Sequence, residues 1–174
     1  MLATPALIAA TAVLVPLMLL ACYIDFKEMR IPNWLVLAVV ALFLVTGAWG
    51  LPLDVYLWRI GYGVIALVIV YLFFEVVERF FPDNVGAGDL KLIAALVPFV
   101  APFDAADVLI LYALLSIVGL FLHQFARALL RGRETGFKSL DQKLYFPVGL
   151  VIGLTMCVYY GVATGKAVGW ITSF

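Results

Sequence analysis

Apolar residues fill long runs of this chain, and short polar stretches divide them at fairly even intervals. The runs lie near 4–24, 34–50, 55–74, 90–101, 105–125 and 145–162, each bounded by charge, glycine or proline. A helix rises about 1.5 Å per residue, and the hydrocarbon core of a bilayer is about 30 Å thick, so about 20 such residues make a crossing. The pattern predicts an all-α polytopic membrane protein, a bundle of six transmembrane helices forming one domain over residues 1–174. The fourth run is short. It reaches a workable length only if the glycine-rich stretch 84–89 also sits at membrane depth, where irregular backbone survives only when buried in protein or facing a water-filled cavity.

Composition agrees with that picture and removes the soluble alternatives. Hydrophobic residues make up 66% of the chain and charged residues 13%, whereas a soluble domain is about half apolar and about a quarter charged. No Lys or Arg precedes the first run, and that run is longer than the apolar stretch of a signal peptide, so it is expected to stay as a first span. Cys22 and Cys157 stand alone inside apolar runs. Neither a zinc site nor a disulfide framework is indicated, and small core residues are the expectation. No phosphate-binding loop, dinucleotide fingerprint or zinc spacing is present. No cofactor, metal or nucleic-acid partner is expected.

Charge gives the orientation. Lys27, Arg30, Arg79, Lys91, Arg127, Arg131, Arg133, Lys138 and Lys143, nine of the eleven basic residues, fall on one set of alternating loops. Arg59 and Lys166 fall on the other. The positive-inside rule then puts the nine in the cytoplasm and both termini outside. The basic stretch 127–143 is expected along the inner membrane surface, against phospholipid headgroups or as a docking surface for substrate.

Two carboxylates acquire meaning from this orientation. Asp25 closes the first span at its cytoplasmic end, and Asp89 opens the fourth at the same end. A charge inside a span costs about 2.5–3.5 kcal/mol at the helix centre and less near the interface. Either acid alone has an ordinary explanation as an interfacial or capping residue. Gly86 and Gly88, however, have no capping role that requires both, and their bare backbone lets a chain turn sharply or another segment, such as an extended substrate, come close. Two carboxylates sharing a site cannot both ionise easily, so one holds a proton near neutral pH. The ionised one can take a proton from water as it attacks a peptide carbonyl, and the protonated one can donate to the carbonyl oxygen.

Other polar groups are weaker candidates. Glu75, Glu78 and Arg79 read as a solvated or ion-paired helix end, and Glu28 and Asp83 as neighbours that tune the site. His123 and Gln124 read as an interfacial polar turn rather than a proton relay. Lys91, two residues from Asp89, cannot share its helix face and reads as a snorkelling anchor.

The stretches "DFKEMRIPN" at 25–33 and "GAGDLKL" at 86–92 together resemble the paired signature of the type IV prepilin peptidases, polytopic aspartic proteases with a GxGD motif. "KLYFPVG" at 143–149 is similar to the proline-containing start of their last span, and the resemblance covers essentially the whole chain. It implies cleavage of prepilin leader peptides on the cytoplasmic side of a bacterial or archaeal inner membrane. Asp25 and Asp89 would be the catalytic pair, Gly86 and Gly88 would shape the loop around Asp89, and Lys91 belongs to the same motif. Longer members carry a cysteine-bearing cytoplasmic insertion associated with N-methylation. Only a short turn follows the first span here, so the resemblance implies peptidase without methyltransferase activity, as in the short forms serving Flp-type pili. The implied partners are a prepilin or pseudopilin with a basic leader and membrane lipids. A small transporter or proton-coupled channel and a non-enzymatic assembly factor are the alternatives from other classes, and a presenilin-like intramembrane protease is the related enzymatic one. The middles of the six runs lack the further ionisable groups that a transporter predicts.

Overall fold

The structure is a computed structural model describing residues 2–80, 87–130, 133, 135–141 and 146–171, and it is helical throughout, with no strand among these residues. Helix α1 spans Thr4–Glu28, α2 Asn33–Gly50, α3 Leu53–Phe80, α4 Ala87–Leu129, α5 Lys138–Asp141 and α6 Val148–Ala167. Five segments are long and apolar enough to cross a membrane: α1, α2, Leu53–Phe73 of α3, Ala106–Leu129 of α4, and α6.

The expected boundary between the fourth and fifth spans is not a break in the helix. α4 is continuous over 43 residues, yet its two ends lie at the same end of the bundle. Gly88 abuts the backbone of Ile31, while His123 stands edge-on to Phe26 at 6.5 Å between ring centroids. A straight helix would separate residues 88 and 123 by about 50 Å, whereas residues 26 and 31 can be at most about 18 Å apart. The helix must therefore reverse between its arms, 87–100 and 106–129. Pro98 and Pro102 explain why it can. Pro102 has no N–H to offer the carbonyl of Pro98, and proline inside a helix bends it. Arg59 supplies the missing donor: its Nη1 lies 3.4 Å from the carbonyl oxygens of both Pro98 and Phe99. The Tyr160 hydroxyl donates to the Phe99 carbonyl as well, at 3.2 Å. A buried arginine on α3 thus takes up the carbonyls of Pro98 and Phe99 where α4 bends. The two arms of α4 run in opposite directions, only the second of them long and apolar enough to cross a membrane, and both described chain ends lie away from Asp25.

The core forms where glycine and alanine let backbones approach. α1 buries Ala6, Ala10, Leu14, Met18, Ala21, Cys22 and Asp25 along one stripe, spaced three or four residues apart as a helix face requires. α6 meets that stripe through glycines. A Cβ on Gly153 would come within 2.5 Å of Cys22 Sγ and 2.8 Å of the Met18 carbonyl oxygen. In lipid, where helix association gains little from hydrophobicity, such close backbone contact supplies the packing. Thr11 and Thr164 hydroxyls, 2.6 Å apart, tie the same two helices at the far end. There Ala3 N–H also donates to Gly50 O at 2.9 Å, closing α1 against α2. Cys22 is buried and its thiol donates to the Leu150 carbonyl, which fits the small-core expectation. α3 behaves differently: Leu57, Ile65, Val68, Ile69 and Leu72 are all more than half exposed, an apolar surface suited to lipid.

Candidate active site

The sequence Asp25-Phe-Lys-Glu-Met-Arg-Ile-Pro-Asn makes a helix end followed at once by a new helix. α1 stops at Glu28 because Met29 turns into the left-handed region, φ 56°, with its N–H returned to the Asp25 carbonyl at 2.8 Å. Pro32, extended at ψ 144°, then starts α2, as a residue with fixed φ and no N–H does well at a helix entrance. The turn leaves Asp25 one helical turn inside α1 and Ile31 folded back over it.

Asp25 is 3% exposed, and what encloses it is the start of α6. The Leu150 N–H donates to Asp25 Oδ2 at 3.1 Å, one of the free donors at a helix N-terminus. Gly149 makes the approach possible. A Cβ there would lie 2.9 Å from Asp25 Cγ and 2.7 Å from Ile31 Cδ1. The "PVG" that precedes the last span is therefore part of the carboxylate's seat.

Asp89 reaches the same place from the other side. It lies in the first turn of α4 and is half-buried. Gly88 brings it there, since a Cβ on Gly88 would stand 3.0 Å from the Ile31 carbonyl oxygen and 3.2 Å from the Ile31 nitrogen. Ile31 is thus the common neighbour. Its side chain covers Gly149 beside Asp25, and its backbone supports Gly88 beside Asp89. Lys91, one of the exposed residues here, donates from Nζ to Asn33 Oδ1 at 3.4 Å, linking the first turn of α4 to the first residue of α2.

The expected residues therefore divide. Asp25, Gly88, Asp89 and Lys91 come together at one end of the bundle, whereas Gly86 and Asp83 lie outside the described residues, as do Arg131, Lys143 and the side chain of Glu78. Glu28 is exposed at the end of α1. The space beside Gly88 is taken by this chain's own Ile31, not left open for an extended segment. Lys91 is a cross-link between the two motifs rather than a free anchor. His123 also departs from the expected interfacial turn: it is 6% exposed, and Nε2 donates to the Ser139 carbonyl at 2.9 Å. Ile31, Asn33, Gly149 and Leu150 escaped the residue-by-residue reading because none carries chemistry. For Ile31, Asn33 and Gly149 the signal was only membership in the "IPN" and "FPVG" strings, and Leu150 had none.

An acid pair of this kind has the parts for hydrolysis. One carboxyl is buried and held by a helix N-terminus, and the other stands in a first helical turn packed on the same Ile31, so both an acid and a base are at hand. The model of a family described as the type IV leader peptidase family matches residues 12–123, a stretch that contains both aspartates. No curated protein and no solved structure matches the chain.

Proposed function

Because the chain belongs to the type IV leader peptidase family, we propose that it is an aspartic endopeptidase that removes the leader from prepilins of the type IV or Flp kind, with Asp25 and Asp89 as its catalytic pair. The observation that carries this reading is the packing of Gly88 and Gly149 on the two sides of Ile31, which draws two acids 64 positions apart in sequence to one end of the bundle. One carboxylate takes a proton from the attacking water while the other gives a proton to the carbonyl oxygen of the scissile bond. As the tetrahedral intermediate collapses, the first gives the proton it has gained to the departing amine nitrogen while the second takes a proton back from the intermediate's hydroxyl, so the C–N bond breaks and the pair returns to its starting state.

The charge asymmetry of the loops supports a cytoplasmic location for this end of the bundle, in the inner membrane of a bacterium or archaeon. A substrate leader rich in Lys and Arg would lie on that side too. The short turn between α1 and α2 supports hydrolysis without N-methylation, and Lys91 acts on the geometry rather than on the reacting atoms. The test is incubation of the purified protein in detergent with a candidate prepilin, reading the cut by mass spectrometry. Wild type should release one leader, and Asp25→Asn and Asp89→Asn should each insert normally and release none. Normal processing by both variants would sink the assignment.

A further inference from the structure

Three segments near Asp25 converge on one side chain of α4, His123. The last turn of α1 reaches it through Phe26, whose ring stands edge-on to the imidazole at 6.5 Å. The entry to α6 reaches it through Phe146, edge-on at 5.6 Å. The stretch 135–141 reaches it through the Ser139 carbonyl, which accepts from Nε2 at 2.9 Å. Edge-to-face rings attract at centroid separations of about 4.5–7 Å, so both ring contacts hold. Phe26 follows Asp25 in the chain. Phe146 lies just before Pro147, the residue that leads into α6, and Leu150, whose N–H holds the Asp25 carboxylate, is one helical turn further on. His123 thus touches both of the segments that this hydrogen bond joins.

The third contact is to a unit closed on itself. The Thr135 N–H and hydroxyl both donate to Asp141 Oδ1, at 3.2 and 2.9 Å, and the Phe137 N–H donates to Thr135 Oγ1 at 3.2 Å. The Asp141 N–H returns to the Phe137 carbonyl at 3.0 Å. This unit bears on the bundle at two points. Phe137 packs against Phe26, 5.2 Å between ring centroids, and the fully buried Ser139 meets His123. The Ser139 hydroxyl has no partner among the described residues, so the contact uses the backbone carbonyl.

An imidazole is a costly choice for this place. Nε2 is committed to a carbonyl and must carry the hydrogen, so Nδ1 is an acceptor, and it is buried with no partner among the described residues. A buried acceptor left unpaired is unfavourable, and leucine or phenylalanine would fill the space without one. What the imidazole adds over either is one N–H aimed at Ser139. We infer that His123 is a positioning residue for Asp25: through Phe26, Phe146 and Ser139 it clamps the end of α1 and the start of α6 in the register that seats the carboxylate on the Leu150 N–H. The end of α1 needs such a clamp. Past Asp25 the helix runs only to Glu28, and a last turn frays readily. His123 is therefore part of the packing that fixes Asp25, and it acts through its neighbours rather than on the reacting atoms. The inference rests on the peptidase reading and extends it to the support of the acid pair.

The experiment compares His123→Leu, which keeps bulk and loses the N–H, with His123→Gln, which keeps a donor near the place of Nε2. Two readouts are taken on the full chain in detergent: leader cleavage, and hydrogen exchange at the Leu150 amide, a helix-start donor with no partner inside α6. His123→Leu should lower kcat about tenfold with KM unchanged, since the acid is misplaced while no substrate contact is lost. Exchange at Leu150 should quicken by about tenfold too, while α1 over residues 6–18 stays as protected as in wild type. His123→Gln should restore both readouts to within about threefold of wild type. Ser139→Ala, which removes only a hydroxyl without a partner, should match wild type. Either readout unmoved in folded His123→Leu would overturn the proposal, as would a His123→Gln no better than His123→Leu. Should His123→Leu fail to fold, Phe137→Leu loosens the same clamp from its outer contact, and Leu150 exchange unmoved there would overturn it equally. Absence of leader cleavage by wild type would instead overturn the peptidase reading, and Leu150 exchange would still decide the role of His123.

Discussion

The two aspartates reach the same end of the bundle by different means. Asp25 is built into the tightest interface of the molecule, where α1 and α6 touch through Gly149 and Gly153, and an α6 amide holds its carboxylate. Asp89 stands in the half-exposed first turn of a helix arm whose core contacts, Leu92, Ala95, Leu96 and Phe99, begin one turn later; that first turn meets its neighbours through Gly88 against Ile31 and Lys91 against Asn33. The first carboxylate is part of the core, so its position is set by packing that nothing short of opening the bundle changes. The second sits at the edge of the core, in a turn with fewer buried contacts. If the two acids act as proposed, the less buried one is the one expected to adjust to a bound peptide.

Substitutions should expose that asymmetry. The largest effect is on chemistry: Asp25→Asn and Asp89→Asn should each lower cleavage by about 10²–10⁴-fold, the range for loss of an acid or base, with membrane insertion unchanged by protease accessibility. Next comes Gly149→Ala, whose methyl group would press on Asp25 and Ile31 together. Overpacking of a close interface costs about 1–3 kcal/mol, so both the thermal midpoint in detergent and the cleavage rate should fall. Gly88→Ala should separate the two readouts. Its methyl group needs a shift of only a few tenths of an ångström from Ile31, so activity should drop about tenfold while the midpoint moves by a degree or two. Equal loss of stability in both glycine variants would contradict the idea of one fixed and one adjustable carboxylate.

Smaller still are the effects expected at Lys91 and Asn33. Each alanine variant should reduce kcat a few-fold, and the double variant should be little worse than either one, because the two residues share a hydrogen bond. Full additivity in the four-way comparison would show that they act separately. The smallest change is Met29→Gly. A non-glycine residue in the left-handed region costs about 1 kcal/mol, so glycine should hold or slightly raise the midpoint without altering cleavage. A marked loss of activity there would mean that the Met29 side chain, and not only its backbone, serves the site.

Much of the fold was legible because bilayer thickness acts on the chain locally. Each apolar run is long enough, or nearly so, to cross, and the alternation of charged loops follows from the same count. The division at 102–104 was placed correctly as a reversal but wrongly as a gap, since Pro98 and Pro102 bend α4 without ending it and Arg59 takes over the freed carbonyls. Counting residues cannot reveal a cap supplied from another helix. The burial of His123 was missed for a like reason: position near the end of a run suggests water, and only the packing of Phe26, Ser139 and Phe146 around it removes the water.

What the linear order of residues established was the set of passes, their alternation, and the identity of two acids at matching depth, because span length and residue type are properties of each segment alone. Which residues hold those acids was settled by folding. Ile31, Gly149 and Leu150 matter through contacts with segments more than a hundred positions away in the chain, or on another helix altogether, and nothing in an isoleucine or a glycine announces such a partner. Shape complementarity between distant segments is a property of the assembled bundle, and it is what brings two ordinary helix-end carboxylates to one end of it.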